Sequence, residues 1–417
     1  MKPVKLPEIY FDLKGAYWLR LSESRFLECG ERDIKRHMMK RGFYIDTEVN
    51  EMGLKAGDNE LLQAQTERYV DFAGALAGHR CGFYSAIDGK RILVTEQAKP
   101  VQPRKGPLPW LDKFFSELFA SDQQQCQFFL LWLKFAHESL ERRDFRPGQF
   151  VVLAGQSGCG KSLCQAIITA LLGGRSADPW RYMIGKTAFN ADLAQAEHLC
   201  IEDQNAGLDI RTRRSLGESI KQITVVENWS VHEKGRKAVQ LRFFKRGSMS
   251  VNDEPEKIGN LPPLDDDLRD KIALLKCSRA QLDADRLKNW AAVEKELPAL
   301  AWYVRSLRVP KGWIDDRYGV RAYHNEELYN MLSAISPEIR LLEIIDQTAL
   351  KQHDSWQGSA SELESEFNNS PFAVSAQKLL SFSSACGTYM QRLSVKFPER
   401  FSCSKNKGKT VWTILAE

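Results

Sequence analysis

Residues 155 to 162 read Gly-Gln-Ser-Gly-Cys-Gly-Lys-Ser, the pattern G-x-x-x-x-G-K-S. No other stretch constrains the fold as strongly, because such a loop works only between a buried strand and a helix. Both flanks are present. Phe150 to Ala154 is a short apolar run, and Leu163 to Leu172 is a helix-length run closed by Gly173 and Gly174. Gly155, Gly158 and Gly160 let the backbone curl until its N–H groups converge on a polyphosphate. Lys161 adds positive charge at the β- and γ-phosphates, Ser162 offers a hydroxyl to Mg²⁺, and the helix N-terminus adds its partial charge. ATP with Mg²⁺ is the expected cofactor pair. The expected class is α/β with a parallel sheet.

A loop of this kind needs a carboxylate at the end of a second buried strand. His198-Leu199-Cys200-Ile201 runs into Glu202-Asp203. One acid would hold Mg²⁺ and the other would orient or deprotonate the attacking water; the sequence leaves open which does which. The β-prone run 247–251 then ends in Asn252, followed by Asp253-Glu254-Pro255. An amide there would hydrogen-bond both the attacking water and the γ-phosphate. Further on, Arg269 is the first choice, and Lys271 the second, to reach a neighbouring subunit's γ-phosphate as arginine fingers do. Between the acids and the asparagine lies Trp229 to Leu241. Two β-type runs there flank His232-Glu233-Lys234-Gly235-Arg236-Lys237, a hairpin signal. His232, Lys234, Arg236 and Lys237 concentrate positive charge at its tip, which suits contact with a phosphate backbone.

The 417 residues imply two to four domains, and 43% apolar residues are enough to bury real cores. A net charge of +5 permits a nucleic-acid partner without requiring one. The nine cysteines form no C-x-x-C pairs, which argues against a zinc site or a disulfide framework and for reduced thiols. The N-terminus has no apolar signal-like core, and no apolar run is long enough for a bilayer. The expectation is a soluble cytoplasmic protein with no membrane partner.

Composition separates several regions. Residues 1–98 mix strand-like runs with helical ones (31–41 and 60–76) and read as an accessory α+β domain. Residues 99–108 are a Pro/Gly linker. Residues 109–145 look helical, with Trp110, Phe114, Phe115, Leu118 and Phe119 on one face. The nucleotide-binding core is expected over 146–277, a helical connector over 278–335 and a separate module over 336–417. That module begins with a helix capped by Ser336 with Pro337 at its first position. A second helix is expected over 360–368 and a third, over 383–397, would carry Tyr389, Arg392 and Lys396. Two strands around a basic turn with Lys405, Lys407 and Lys409 follow. This order reads as a winged helix, with its last helix in the major groove of duplex DNA and its turn lysines on phosphates.

Taken in order, the phosphate loop, Glu202-Asp203, the basic hairpin, Asn252 and Arg269 resemble the motif series of superfamily 3 helicases. In particular the chain is similar to the primase–helicase ATPases of phages, large DNA viruses and integrated mobile elements, over about residues 110 to 280. The resemblance implies an AAA+ fold with a helical collar before it, a hexameric ring and ATP-driven movement along single-stranded DNA. By motif match, Lys161 and Ser162 would be the phosphate and Mg²⁺ contacts, and Glu202 and Asp203 the acidic motif. Lys234 and Lys237 would be the pore-hairpin contacts and Asn252 the sensor. Relatives often carry two adjacent arginines before the last strand, whereas here the run is Arg269-Asp270-Lys271. Many also carry a primase at the N-terminus, yet residues 1–98 show no spaced pair of metal-binding carboxylates and read as an accessory or oligomerisation domain. The expected function is a replicative DNA helicase of a phage or mobile element, acting on single-stranded and forked DNA, with its own origin duplex as a further candidate partner. A non-unwinding AAA+ initiator or loader shares every one of the ATPase motifs. A P-loop kinase or small-molecule phosphotransferase fits less well, because the acid pair is followed by an asparagine strand.

Overall fold

Period-two burial marks the first strands. In β2 (Tyr17–Ser22), Tyr17 and Leu19 are buried while Trp18 and Arg20 are half-exposed. This strand pairs antiparallel with β1 (Ile9–Asp12) and β3 (Arg25–Cys29). Helices α1 (Glu31–Lys40) and α2 (Ala56–Thr66) cover one face, with Ile34, Met38, Leu61 and Ala64 packed on Ile9, Tyr17 and Leu19. The short β4 (Tyr69–Val70) adds parallel to β1. A second small sheet, in the order β5-β7-β6, is made by β5 (Phe72–Gly74), β6 (Gly82–Ser85) and β7 (Arg91–Val94). The helix expected to reach residue 76 therefore stops at Thr66, because the Tyr-Val-Asp-Phe run that follows is β-prone and finds strand partners in β1 and β7.

A computed structural model describes residues 8–40, 49, 53–202, 210–235, 237–264, 267–334, 337–351, 353–406 and 409–416, with the backbone alone at 210, 211, 334, 406 and 409. The chain divides into two units, Met1–Asn325 and Glu326–Glu417.

Helix α3 (Pro109–Leu118) starts with proline at its first position, and Glu296 accepts from the free N–H groups of Trp110 and Leu111 at 2.9–3.3 Å. Helix α4 (Gln123–Arg142) is capped by Asp122. Then comes the parallel sheet. Its elements in chain order are β8 (Phe150–Ala154), α5 (Lys161–Leu171), β9 (Ser176–Ala177), α6 (Trp180–Met183) and β10 (His198–Ile201). Helix α7 (Ile210–Val225) leads to the hairpin of β11 (Asn228–Val231) and β12 (Val239–Arg242). Strand β13 (Arg246–Val251), α8 (Pro255–Ile258) and β14 (Ile272–Lys276) complete it. The sheet order is β14-β8-β13-β10-β9, every pairing parallel. All residues of β8 and β13 are buried, as strands covered on both faces must be. The α/β class with a parallel sheet is thus what the chain adopts.

Helix α9 (Arg286–Ser306) follows, and then a small hairpin of β15 (Ile314–Asp315) and β16 (Gly319–Val320), so the stretch expected to be a helical connector is helical only in part. The second unit contains α10 (Glu326–Ala334), α11 (Pro337–Gln347), β17 (Ser355–Gly358), α12 (Ala360–Asn368), α13 (Ala373–Leu379), α14 (Ala385–Lys396), β18 (Phe401–Asn406) and β19 (Lys409–Leu415). Ser336, the expected cap of α11, lies outside the described residues. Strand β19 lies between β17 and β18, all antiparallel. Leu341, Ile345, Phe367, Tyr389, Leu393 and Trp412 are part of the core of this unit. Among the described residues, no helix is long and apolar enough to cross a membrane.

Candidate nucleotide site and basic hairpin

Sheet order brings the motifs together. Strand β13 lies between β8 and β10, and all three run parallel. Their carboxyl ends are therefore neighbours, spaced about 4.8 Å per strand. Strand β8 delivers the phosphate loop, β13 delivers Asn252 and β10 delivers Glu202.

The loop meets α5 at Gly160, and Lys161 is the first helical residue. Lys161 is 7% exposed. Its ammonium donates to the carbonyl of Gly155, to that of Gln156 at 3.0 Å and to Asn252 Oδ1 at 3.2 Å. The cation thus sits between the loop and the end of β13. Ser162 is exposed on α5 and shares with Glu202 a cleft of about 310 Å³, also lined by Gln165 and Trp290. A hydroxyl and a carboxylate on one cleft are the hard oxygen donors that Mg²⁺ takes, so the residues present fit a metal–polyphosphate pair. Asp203 lies outside the described residues. Beneath the loop, the Cys159 thiol is pulled down to about 6, first by a hydrogen bond from Cys277 and then by the charge of Lys161, against the effect of burial.

A buried polar network ties these strands to α5. Gln165 Nε2 donates to Ile201 O at 3.1 Å, one residue before Glu202, and to Ser248 Oγ at 3.0 Å. The ring of His198 bridges Ser248 Oγ at 2.8 Å and Thr169 Oγ1 at 2.7 Å. Burial pulls the His198 imidazole down to about 3, so it is neutral. Sequence reasoning missed Gln165, His198, Ser248 and Thr169. Their one signal is a polar side chain inside an otherwise apolar strand or helix face.

The basic hairpin forms as expected, with Trp229 opposite Leu241 and Val231 opposite Val239. Gly235 takes φ 78° in the turn. Lys234 and Lys237 are exposed and His232 is half-buried; Arg236 lies outside the described residues. The backbone N–H of His232 donates to Asn190 Oδ1 at 2.7 Å, and its ring centre is 5.3 Å from that of Phe189. Only residues 243–245 separate the hairpin from β13.

Arg269 is not brought to this site. It is an exposed turn residue just before β14, at the amino end of the sheet, and five residues of strand put about 17 Å between that turn and the carboxyl end. Lys271 is buried beside it and pairs with Asp270 at 2.6 Å. In the second unit, Arg392 and Lys396 stand 3.7 and 3.0 Å from Glu338 of α11. Tyr389, carried with them on α14, is 0% exposed and packs in the core of this unit. Lys405 is exposed on β18, the Lys409 side chain is not described, and Lys407 lies outside the described residues.

No family profile and no curated protein matches the chain. Among solved structures, the apo NrS-1 C-terminal region is similar with a TM-score of 0.60 at 14% identity, over 99% of this chain and 96% of its own. An A-form apo structure of the same region gives a TM-score of 0.57 at 13% identity, over 99% and 96%. A JCV helicase structure covers 56% of this chain and 61% of its own at 10% identity, with a TM-score of 0.28 that supports no argument. The likeness to the NrS-1 region is one of fold over nearly the whole chain.

Proposed function

We propose that this chain is an ATP-dependent DNA helicase with an AAA+ core of the superfamily 3 kind, working as a ring, a hexamer by that resemblance, on single-stranded and forked DNA in the replication of a phage or mobile element. One observation carries the reading: the strand that leads into Asn252, beside Lys161, is separated by only three residues from a hairpin tipped with exposed lysines. A nucleotide site and a phosphate-gripping loop joined by one buried strand suit a motor.

In this reading Lys161 leaves the loop carbonyls for the β- and γ-phosphates. The backbone N–H groups of 155–160 cradle the phosphates, and Ser162 and Glu202, with Asp203, hold Mg²⁺. When bound, ATP and Mg²⁺ supply the scissile anhydride and the neutralising charge. Asn252 orients the attacking water. Arg269, too far from its own loop, faces the phosphates of an adjoining subunit, which requires an oligomer. His232, Lys234, Arg236 and Lys237 contact single-stranded DNA, and the second unit binds duplex as a winged helix through Arg392, Lys396 and the Lys405–Lys409 turn.

Lys161→Ala should abolish hydrolysis. Lys234→Ala with Lys237→Ala should keep basal ATPase and lose its stimulation by single-stranded DNA. Stimulation that survives the double change removes the hairpin from the DNA path. Strand displacement on a fork separates a helicase from a loader with the same ATPase.

A further inference from the structure

The N-terminal region touches the hairpin at two points. Lys14, in the β1–β2 turn, pairs with Glu233 at 2.6 Å. Lys90, in the β6–β7 turn, donates to the carbonyl of Ala238 at 2.5 Å. One contact falls on the β11 side of the tip and the other on the β12 side, at the residue just before β12. Glu233 is the sole acid in the segment 232–238.

The same N-terminal region is anchored to the parallel-sheet body through the segment between β5 and β6. Gly78 donates its N–H to Glu197 at 2.9 Å; Glu197 is fully buried, directly precedes β10 and takes a two-pronged contact from Arg175 at 2.5 and 2.9 Å. Gly78 fits so closely that a Cβ would stand 2.6 Å from the Phe145 ring and 2.7 Å from Phe244 Cβ. Ala77 exchanges backbone hydrogen bonds with Ala194 and Phe244. Anchored beside the sheet and reaching both arms of the hairpin, the region has the form of a strut.

We propose that the turns at residues 12–16 and 86–90 brace the basic hairpin, fixing it to the body of its own subunit and presenting its cations to the strand. This rests on the hairpin being the DNA-gripping element. The brace pairs the one acidic residue of the tip away from the phosphates and saves the hairpin the entropy of being ordered when DNA binds. The Lys14–Glu233 pair has side chains 48% and 32% exposed, so its effect is a few-fold rather than all-or-none.

The test is hydrogen exchange of the segment 228–242 in the full chain carrying Lys14→Glu, Glu233→Lys or both. The brace expects faster exchange, by a few-fold, in each single variant and recovery in the double, with basal ATPase unchanged in all three. It also expects Lys14→Glu to raise several-fold the single-stranded DNA concentration giving half-maximal ATPase stimulation, and the double variant to restore it. Charge alone would leave exchange untouched, and unchanged exchange in both single variants overturns the proposal, as does a double variant no better than the singles. Exchange is read without DNA, so a failed brace is distinct from a failed hairpin assignment, which the Lys234→Ala, Lys237→Ala variant reports.

Discussion

Gly155 and Gly158 belong to one loop, yet alanine should harm them for different reasons. A Cβ on Gly155 would overlap the carbonyl oxygen of Cys277 and stand 2.9 Å from its Cβ and 3.1 Å from Cys159 Sγ. The overlapped atom cannot swing aside. It is backbone, in a residue whose own N–H bonds Ala154 O at 2.6 Å. Relief means parting the β8–β14 seam where the loop departs. Overpacking of this kind costs about 1–3 kcal/mol, and a rigid opponent puts Gly155→Ala at about 3. On Gly158 a Cβ meets nothing within 4 Å, but φ is +74°. That left-handed conformation costs an alanine about 1 kcal/mol. Urea unfolding of the two variants should therefore differ by about 2 kcal/mol. A fluorescent ATP analogue should bind Gly158→Ala and fail on folded Gly155→Ala, whose loop N–H groups have moved. If Gly155→Ala unfolds like the parent, or Gly158→Ala proves the less stable, the packing argument at the root of the loop is wrong.

Acid should find His198 first. Its ordinary value of 6.5 falls to about 3 on burial, so the fold needs the neutral ring; that stability is complete above pH 6.5 and is lost as the pH drops toward 3. Between pH 7 and pH 5 the loss is about 2 kcal/mol, and urea midpoints of His198→Gln should lack this portion of the acid sensitivity. In the second unit, changing Lys405, Lys407 and Lys409 to alanine should weaken duplex binding and flatten its salt dependence, by about 0.9 in log–log slope for each phosphate no longer neutralised. An unchanged slope would make that turn a protein-binding surface.

What can be read from the sequence is local. The phosphate loop, its strand and its helix follow one another along the chain, and so do the two β-runs around Lys234-Gly235. The acids after Ile201 stand out because a buried strand ends there. The order of the strands is not legible, since β8 pairs with β13 and β14, each separated from it by about a hundred residues. Without that order, Asn252 is a weak turn motif. With it, the amide sits beside the Lys161 ammonium. The stretch after Thr66 reads as more helix because a short β-prone run following a helix gives no helix-stop glycine or proline to mark the change. The role of the first hundred residues is hidden for the same reason as the sheet order. Lys14 and Lys90 are ordinary turn lysines until the fold sets them against Glu233 and Ala238.

Strand β13 sets the kind of motion available to the proposed motor. The hairpin joins its amino end and Asn252 follows its carboxyl end, so the two sites lie about 20 Å apart along six buried residues. Its neighbours β8 and β10 hydrogen-bond it on both sides. Its start is pinned too: Arg246, 1% exposed, donates to the carbonyls of Arg146 at 2.9 Å and Lys245 at 2.8 Å and stacks 4.8 Å from the Phe244 ring. A strand held in this way cannot slide past its partners without breaking both ladders. With Phe243 and Phe244 buried in the link and the N-terminal turns against the tip, the hairpin has little freedom to flex alone. On the proposed reading, the change made at Asn252 by hydrolysis therefore moves the lysines by tilting the subunit as one body, and the place for that tilt is the boundary with the next subunit, where Arg269 would meet the neighbour's phosphates.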